Sequence, residues 1–216
     1  MNTTLKLNQI ILWTMIVLPF LYLAYLWGQL PEIVPVHWNV KGKADGFGPK
    51  ISLLFVALLP LFVFGVLRVA QKIDPKQNLK SIRAKMPAIE LIVTGFMSAI
   101  SLFAIYSALK SDSPMSFLIL LFGIFFVLLG NYMQTILPNY FIGIRTPWTL
   151  QNDLVWKKTH RFTGRLWMLG GALVVLGSLI NVSLVTQKFF LPLLLILVLV
   201  PIFYSYWIYR EMEHST

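Results

Sequence analysis

Two stretches of this chain concentrate residue types that recognise ligands. The first, residues 31–50, reads PEIVPVHWNVKGKADGFGPK and centres on His37, Trp38 and Asn39, followed by Gly42 and Asp45-Gly46. Prolines that fix φ and glycines that permit turns make this segment ordered rather than slack. An aromatic ring beside hydrogen-bonding groups suits either contact with an external ligand or pinning at a membrane surface. The second stretch, 138–165, contains Asn139 and then Gly143-Ile144-Arg145-Thr146-Pro147-Trp148-Thr149, a rigid turn, with Asn152 placed to cap a following helix. On that helix Trp156, His160, Thr163 and Trp167 share one face. Lys157, Lys158, Arg161 and Arg165 cluster about 140° away, at roughly 100° of rotation per residue. Arg145 carries a permanently charged planar fork, which suits a carbonyl cluster, a carboxylate such as Asp153 or a bound anion. His160, beside Trp156, suits a latch between this helix and the bundle better than a metal site.

The same inventory disfavours catalysis. There is no H-E-x-x-H, no G-x-S-x-G and no G-x-x-x-x-G-K. The 8 carboxylates are scattered, so no pair is available for general acid/base work. Cysteine is absent, which excludes disulfides and thiolate ligands. His37 and His160 fall on opposite membrane faces in the topology derived below, and His214 lies in the C-terminal tail. No catalytic residue, metal or cofactor is expected.

The elements that must position these residues are membrane spans. The 216 residues are 57% hydrophobic and 12% charged, with mean hydropathy +0.75, against roughly 25% charged residues in a soluble domain. Long apolar blocks without surface-helix alternation place spans near 10–30, 51–70, 88–109, 115–137, 166–186 and 189–209. The first is too long and lacks the cleavage pattern of a signal peptide. The break between the last two rests on Thr186-Gln187-Lys188. Of the 18 Lys and Arg, 13 lie on one side (Lys6, the 68–85 group, the 145–165 group and Arg210) and 5 on the other, which puts both termini and the loops 71–87 and 138–165 in the cytoplasm. The expected fold is therefore an all-α, polytopic transmembrane bundle of about six spans with cytoplasmic N and C termini. The net charge of +10 reads as a basic rim beside anionic membrane lipids, with no direct nucleic-acid binding.

The 71–87 loop reads as a solvated cytoplasmic turn. Within the spans, Asn131, Gln134 and Asn181 are expected to face the bundle and hydrogen-bond between helices. Gly170-Gly171 and Gly177 supply small surfaces for close helix approach. Pro19, Pro60 and Pro201 lie deep in their spans. Two modules result: 1–87, two helices with the external loop 31–50, and 88–216, four helices with the cytoplasmic loop 138–165.

Gly143-Ile144-Arg145-Thr146-Pro147-Trp148-Thr149-Leu150, followed by Asn152, Val155-Trp156, Lys158-Thr159-His160-Arg161 and Gly164, strongly resembles the signature of the SdpI family of bacterial toxin-immunity membrane proteins. The external loop resembles the companion module found upstream in that family, at Pro35, His37-Trp38-Asn39, Gly42, Asp45-Gly46 and Lys50. Family members tend to carry a proline and a lysine shortly after the match to Gly130-Asn131-Tyr132, where this chain has Gln134 and Thr135. The resemblance implies a multi-pass protein of the bacterial cell membrane that binds and neutralises a secreted peptide toxin. It also implies a second, signalling role in which a transcriptional repressor is held at the membrane. The alternative reading is a six-helix transporter or exporter of a small solute or of the toxin. The chain lacks an inverted repeat and an intramembrane carboxylate relay, so binding is favoured.

Overall fold

The computed structural model describes residues 3–39, 44–76, 85–110 and 115–213, with side chains omitted at 3–5, 115, 181–184, 186 and 187. In chain order the elements are α1 (Thr3–Leu26), β1 (Ile33–Trp38), β2 (Ala44–Pro49), α2 (Ser52–Ile73), α3 (Met86–Leu109), α4 (Met115–Met133), the short α5 (Pro147–Gln151), α6 (Asp153–Leu184), a π-helical turn (Val185–Phe189) and α7 (Phe190–Glu213). Six of the described helices are long and apolar enough to cross a bilayer. Pro19, Pro60 and Pro201 lie inside α1, α2 and α7.

Packing separates two compact units, Met1–Leu67 with Glu90–Leu121, and Arg68–Ile89 with Phe122–Thr216. This partition cuts across the two sequence modules, because α3 and α4 each contribute to both units.

In the first unit, α3 is tied to α1 and α2 by small hydroxyls. Ser98 Oγ donates to Met15 O at 2.7 Å, and Ser101 Oγ donates to Val56 O at 2.6 Å. In lipid the apolar surroundings give little preference for helix against helix, so such bonds and close packing carry association. Within 31–50, expected to be a loop, the two strands Ile33–Trp38 and Ala44–Pro49 form a β-hairpin. β1 and β2 pair antiparallel, with Val34 opposite Gly48 and Pro35 opposite Phe47, and with irregularities on either side of His37. Lys50 N–H donates to Glu32 O at 2.9 Å. Alternation along the ladder then makes Ile33/Pro49 and Pro35/Phe47 the non-hydrogen-bonded pairs, so each proline costs no ladder bond and blunts the outer edge of its strand. Val34 is fully buried in a cluster with Leu23, Leu26, Leu30, Leu53, Ala57, Ile105 and Ala108, which seats the hairpin on its own helices. Lys50 bonds Glu32 Oε1 at 2.6 Å and lies 5.2 Å over the Trp27 ring, closing the hairpin's base.

In the second unit, α6 is one helix of 32 residues. A surface helix followed by a separate span from residue 166 was the expectation; nothing between 153 and 184 breaks the helix. There is no proline, and Gly164 is held by packing. Antiparallel α4 and α6 approach through paired glycines: a Cβ at Gly130 would lie 2.8 Å from Gly164 O, and one at Gly171 2.5 Å from Gly123 O. Gly123 and Gly130 are spaced seven apart, as are Gly164 and Gly171, so both contacts lie on one seam. Gly170 makes room for Leu197 and Gly177 for Val185. Trp167 Nε1 donates to Leu197 O at 2.8 Å, fixing α6 to α7.

Candidate functional site

The turn that precedes α6 is built from side chains that satisfy its own backbone. Asn139 is fully buried. Its Oδ1 accepts from Phe141 N and Ile142 N at 2.8 and 2.7 Å, and its Nδ2 donates to Leu137 O and Ile142 O at 2.9 and 3.0 Å. Every hydrogen-bonding position of the amide is thus used inside the turn, which makes Asn139 a folding residue rather than a ligand contact. Gly143 follows at φ +115°, a conformation other residues adopt only under strain. A Cβ there would collide with His160 Nε2.

His160 closes the turn. It is buried against Trp156, the rings 3.9 Å apart and 17° from parallel. Nε2 accepts the Ile144 N–H at 3.0 Å, and Nδ1 lies 2.8 Å from Trp156 O. These two partners select the tautomer with the proton on Nδ1, because a backbone N–H requires an unprotonated acceptor. Trp156 in turn donates from Nε1 to Ile136 O at 2.8 Å. The latch expected between this helix and the bundle is therefore a latch between α6 and the loop before it.

Thr146 and Thr149 form a reciprocal capping box that starts α5, with Pro147 in its first turn. Thr149 Oγ1 also donates to Ile144 O at 2.8 Å. Trp148 Nε1 donates to Ser205 Oγ of α7 at 2.7 Å, and its ring meets Tyr206 edge-on at 5.2 Å and Tyr209 at 6.3 Å. Asn152 ends α5 and caps α6, Oδ1 accepting from Leu154 N and Val155 N at 2.9 and 3.2 Å. Arg145 is exposed, and Nη1 donates to Tyr140 O at 2.7 Å. Of the three partners foreseen for it, the carbonyl is realised, while Asp153 lies 3.6 Å from Lys76.

That ion pair corrects the reading of the 71–87 loop as a solvated turn. Its described start is docked on the site: buried Asp74 accepts from Tyr140 N at 3.3 Å, and Lys76 Nζ donates to Leu150 O at 3.0 Å. Asp74, Lys76, Ser205, Tyr206 and Tyr209 were not singled out by sequence. They bond across 57 to 74 residues, and no local pattern announces such partners.

On α6, Trp156, Thr159, His160 and Thr163 are buried, while Lys157, Lys158, Arg161 and Arg165 are exposed. Gln134, just past the end of α4, has Nε2 3.7 Å from Met168 Sδ of α6. Asn131 is exposed on α4, contrary to the expectation that it faces the bundle. The side chain of Asn181 and all of Gly42 and His214 lie outside the described residues.

The hairpin is a separate surface in the first unit. His37 Nδ1 lies 2.5 Å from Asp45 Oδ1, and the two side chains keep 70% and 42% of their exposure. Gly46 permits this, since a Cβ there would lie 2.9 Å from His37 Cβ. Trp38 and Asn39 are half-buried, and Phe47 is 63% exposed. His37 and His160 belong to different units, and no group of three or more metal-ligating side chains assembles among the described residues.

The apolar helices and their capped, self-satisfied turn define a multi-pass cell-membrane protein whose polar segments present surfaces. Residues 135–205 match the SdpI/YfhL protein family, and residues 14–62 match a domain of unknown function, DUF1648. The chain is 28% identical over 204 residues to the Immunity protein SdpI of Bacillus subtilis (strain 168), across 92% of this chain and 94% of that protein. Over its C-terminal segment the chain is thus similar to the SdpI family. The two matched segments contain the capped turn and the hairpin, respectively. No solved structure matches the chain.

Proposed function

We propose that this protein confers immunity to a secreted antibacterial peptide toxin by binding it at the membrane. The observation that carries this reading is the similarity to the Bacillus subtilis immunity protein, which runs nearly end to end in both chains. The charge asymmetry supports an orientation with the hairpin outside and the 138–153 turn in the cytoplasm. In that orientation the hairpin is the capture surface. Its exposed groups are the His37–Asp45 pair and Phe47, with the half-buried Trp38 next to His37, and Pro35 and Pro49 make side-chain contact a better route to a peptide than strand addition. The cytoplasmic turn, with exposed Arg145, is where a signalling partner such as a transcriptional repressor would dock. Binding rather than catalysis is supported by the scattered carboxylates and by the internal use of nearly every polar group in the turn.

Toxin-sensitive cells expressing the intact gene are expected to survive a challenge that kills cells carrying an empty vector. Equal killing at normal membrane abundance contradicts the proposal. Proton-driven solute uptake by sealed vesicles containing the protein would favour the transporter reading.

A further inference from the structure

Lys157, Lys158, Arg161 and Arg165 lie within about 100° of one another around α6, at roughly 100° per residue. All four side chains are exposed. None of them is within ion-pairing distance of a carboxylate among the described residues, and Asp153, one turn before Lys157, is held by Lys76. One turn beyond Arg165 the same side of the helix becomes apolar: Leu169, Leu176, Leu179 and Ile180 are 67%, 58%, 73% and 87% exposed. From Arg165 to Leu184 the helix rises about 30 Å at ~1.5 Å per residue, the thickness of the hydrocarbon layer. Arg165 then stands at the phosphate level and Lys157 lies roughly 12 Å further along the axis.

A ligand that answers this surface carries phosphate and hydrocarbon in one molecule. We infer that the exposed side of α6 is a binding site for an anionic glycerophospholipid, its phosphate among the four cations and its acyl chains along Leu169, Leu176 and Ile180. An acidic peptide would meet the charge and leave the leucines uncovered, and a free phosphate would do the same. The opposite side of the same turns carries Trp156 and His160, which hold Ile136 and Ile144. A lipid bound here therefore fixes the depth of the helix on which the capped turn is built.

The test uses the delipidated full-length protein in a neutral detergent, with the thermal unfolding midpoint as readout. Titrated dioleoylphosphatidylglycerol is expected to raise the midpoint, while dioleoylphosphatidylcholine, inorganic phosphate and polyglutamate leave it unchanged. Neutralising all four cations (K157Q, K158Q, R161Q, R165Q) should weaken the apparent lipid affinity by roughly a hundredfold or more, at roughly fivefold per cation at an anionic surface. The lipid-free midpoint should be unchanged. The charge-conserving pair R161K and R165K should retain the response, and if the fourfold variant does not fold, K157Q with K158Q and R161Q with R165Q are each expected to lose part of it. An undiminished phosphatidylglycerol response in the neutralised variants, or an equal response to inorganic phosphate or polyglutamate, overturns the inference.

Discussion

The imidazole of His160 accepts the backbone N–H of Ile144 at 3.0 Å, joining the first turns of a long transmembrane helix to the turn that precedes it. Gly143 makes that approach possible, since any side chain there would occupy the position of the ring nitrogen.

Replacing His160 with phenylalanine keeps the stack on Trp156 and leaves the Ile144 N–H without its acceptor. The expected loss is about 1 kcal/mol of stability, the low end of the cost of an unsatisfied donor, because the Ile144 N–H is only partly buried. Gly143→Ala should cost at least as much, because strain at positive φ adds to the collision with His160. Thermal unfolding in detergent measures both, and an unchanged His160→Phe variant would mean that the bond contributes nothing.

Trp148 and Ser205 should be energetically coupled. A double-mutant cycle with Trp148→Phe and Ser205→Ala is expected to give about 0.5–1.5 kcal/mol of interaction. Strict additivity would reduce their 2.7 Å contact to coincidence.

The glycine seam predicts a sharp positional contrast. Gly130→Leu and Gly164→Leu should separate α4 from α6 and lower the amount of folded protein in the membrane. Gly65→Ala, with open space around its α-carbon, should leave that amount unchanged. Equal abundance of all three variants would show that the seam does not hold the helices together.

The larger features of the fold are legible in the sequence, for reasons of scale. Six spans follow from block hydropathy, and the two faces of α6 follow from helical rotation, because burial in a bundle leaves a period in the sequence. Asn152 as a cap and the small residues of α6 are likewise local signals. The hairpin is not legible: its strands are six residues each, interrupted by Pro35, Pro49 and two glycines, and they read as an ordered loop. The length of α6 was hidden because four cations resemble an interfacial segment, although exposure on one face lets the helix carry them without a break. The docking of Asp74 and Lys76 left no trace, since it pairs positions 66 and 74 residues apart. Polarity alone does not fix which face of a span is covered, and Asn131, expected to face the bundle, is exposed instead.

Orientation is open to a direct check because the chain has no native cysteine. Phe47→Cys, exposed on the hairpin, should react with an impermeant thiol reagent in intact cells. Gln151→Cys, exposed at the end of α5, should react only after permeabilisation. The reverse pattern would place the capped turn outside and remove the hairpin as a capture surface.

The most direct test of the account is survival of toxin-challenged cells that express Trp38→Ala at the same membrane abundance as the unaltered protein. Val34 seats the hairpin in its apolar cluster, so losing the half-buried Trp38 ring removes aromatic area next to the exposed His37–Asp45 pair while the strands stay anchored. Protection should weaken by roughly tenfold or more, the scale of one lost aromatic anchor at an interface. His37→Ala should fall in the same direction. Full protection by Trp38→Ala at matched abundance would contradict the claim that the hairpin captures the toxin.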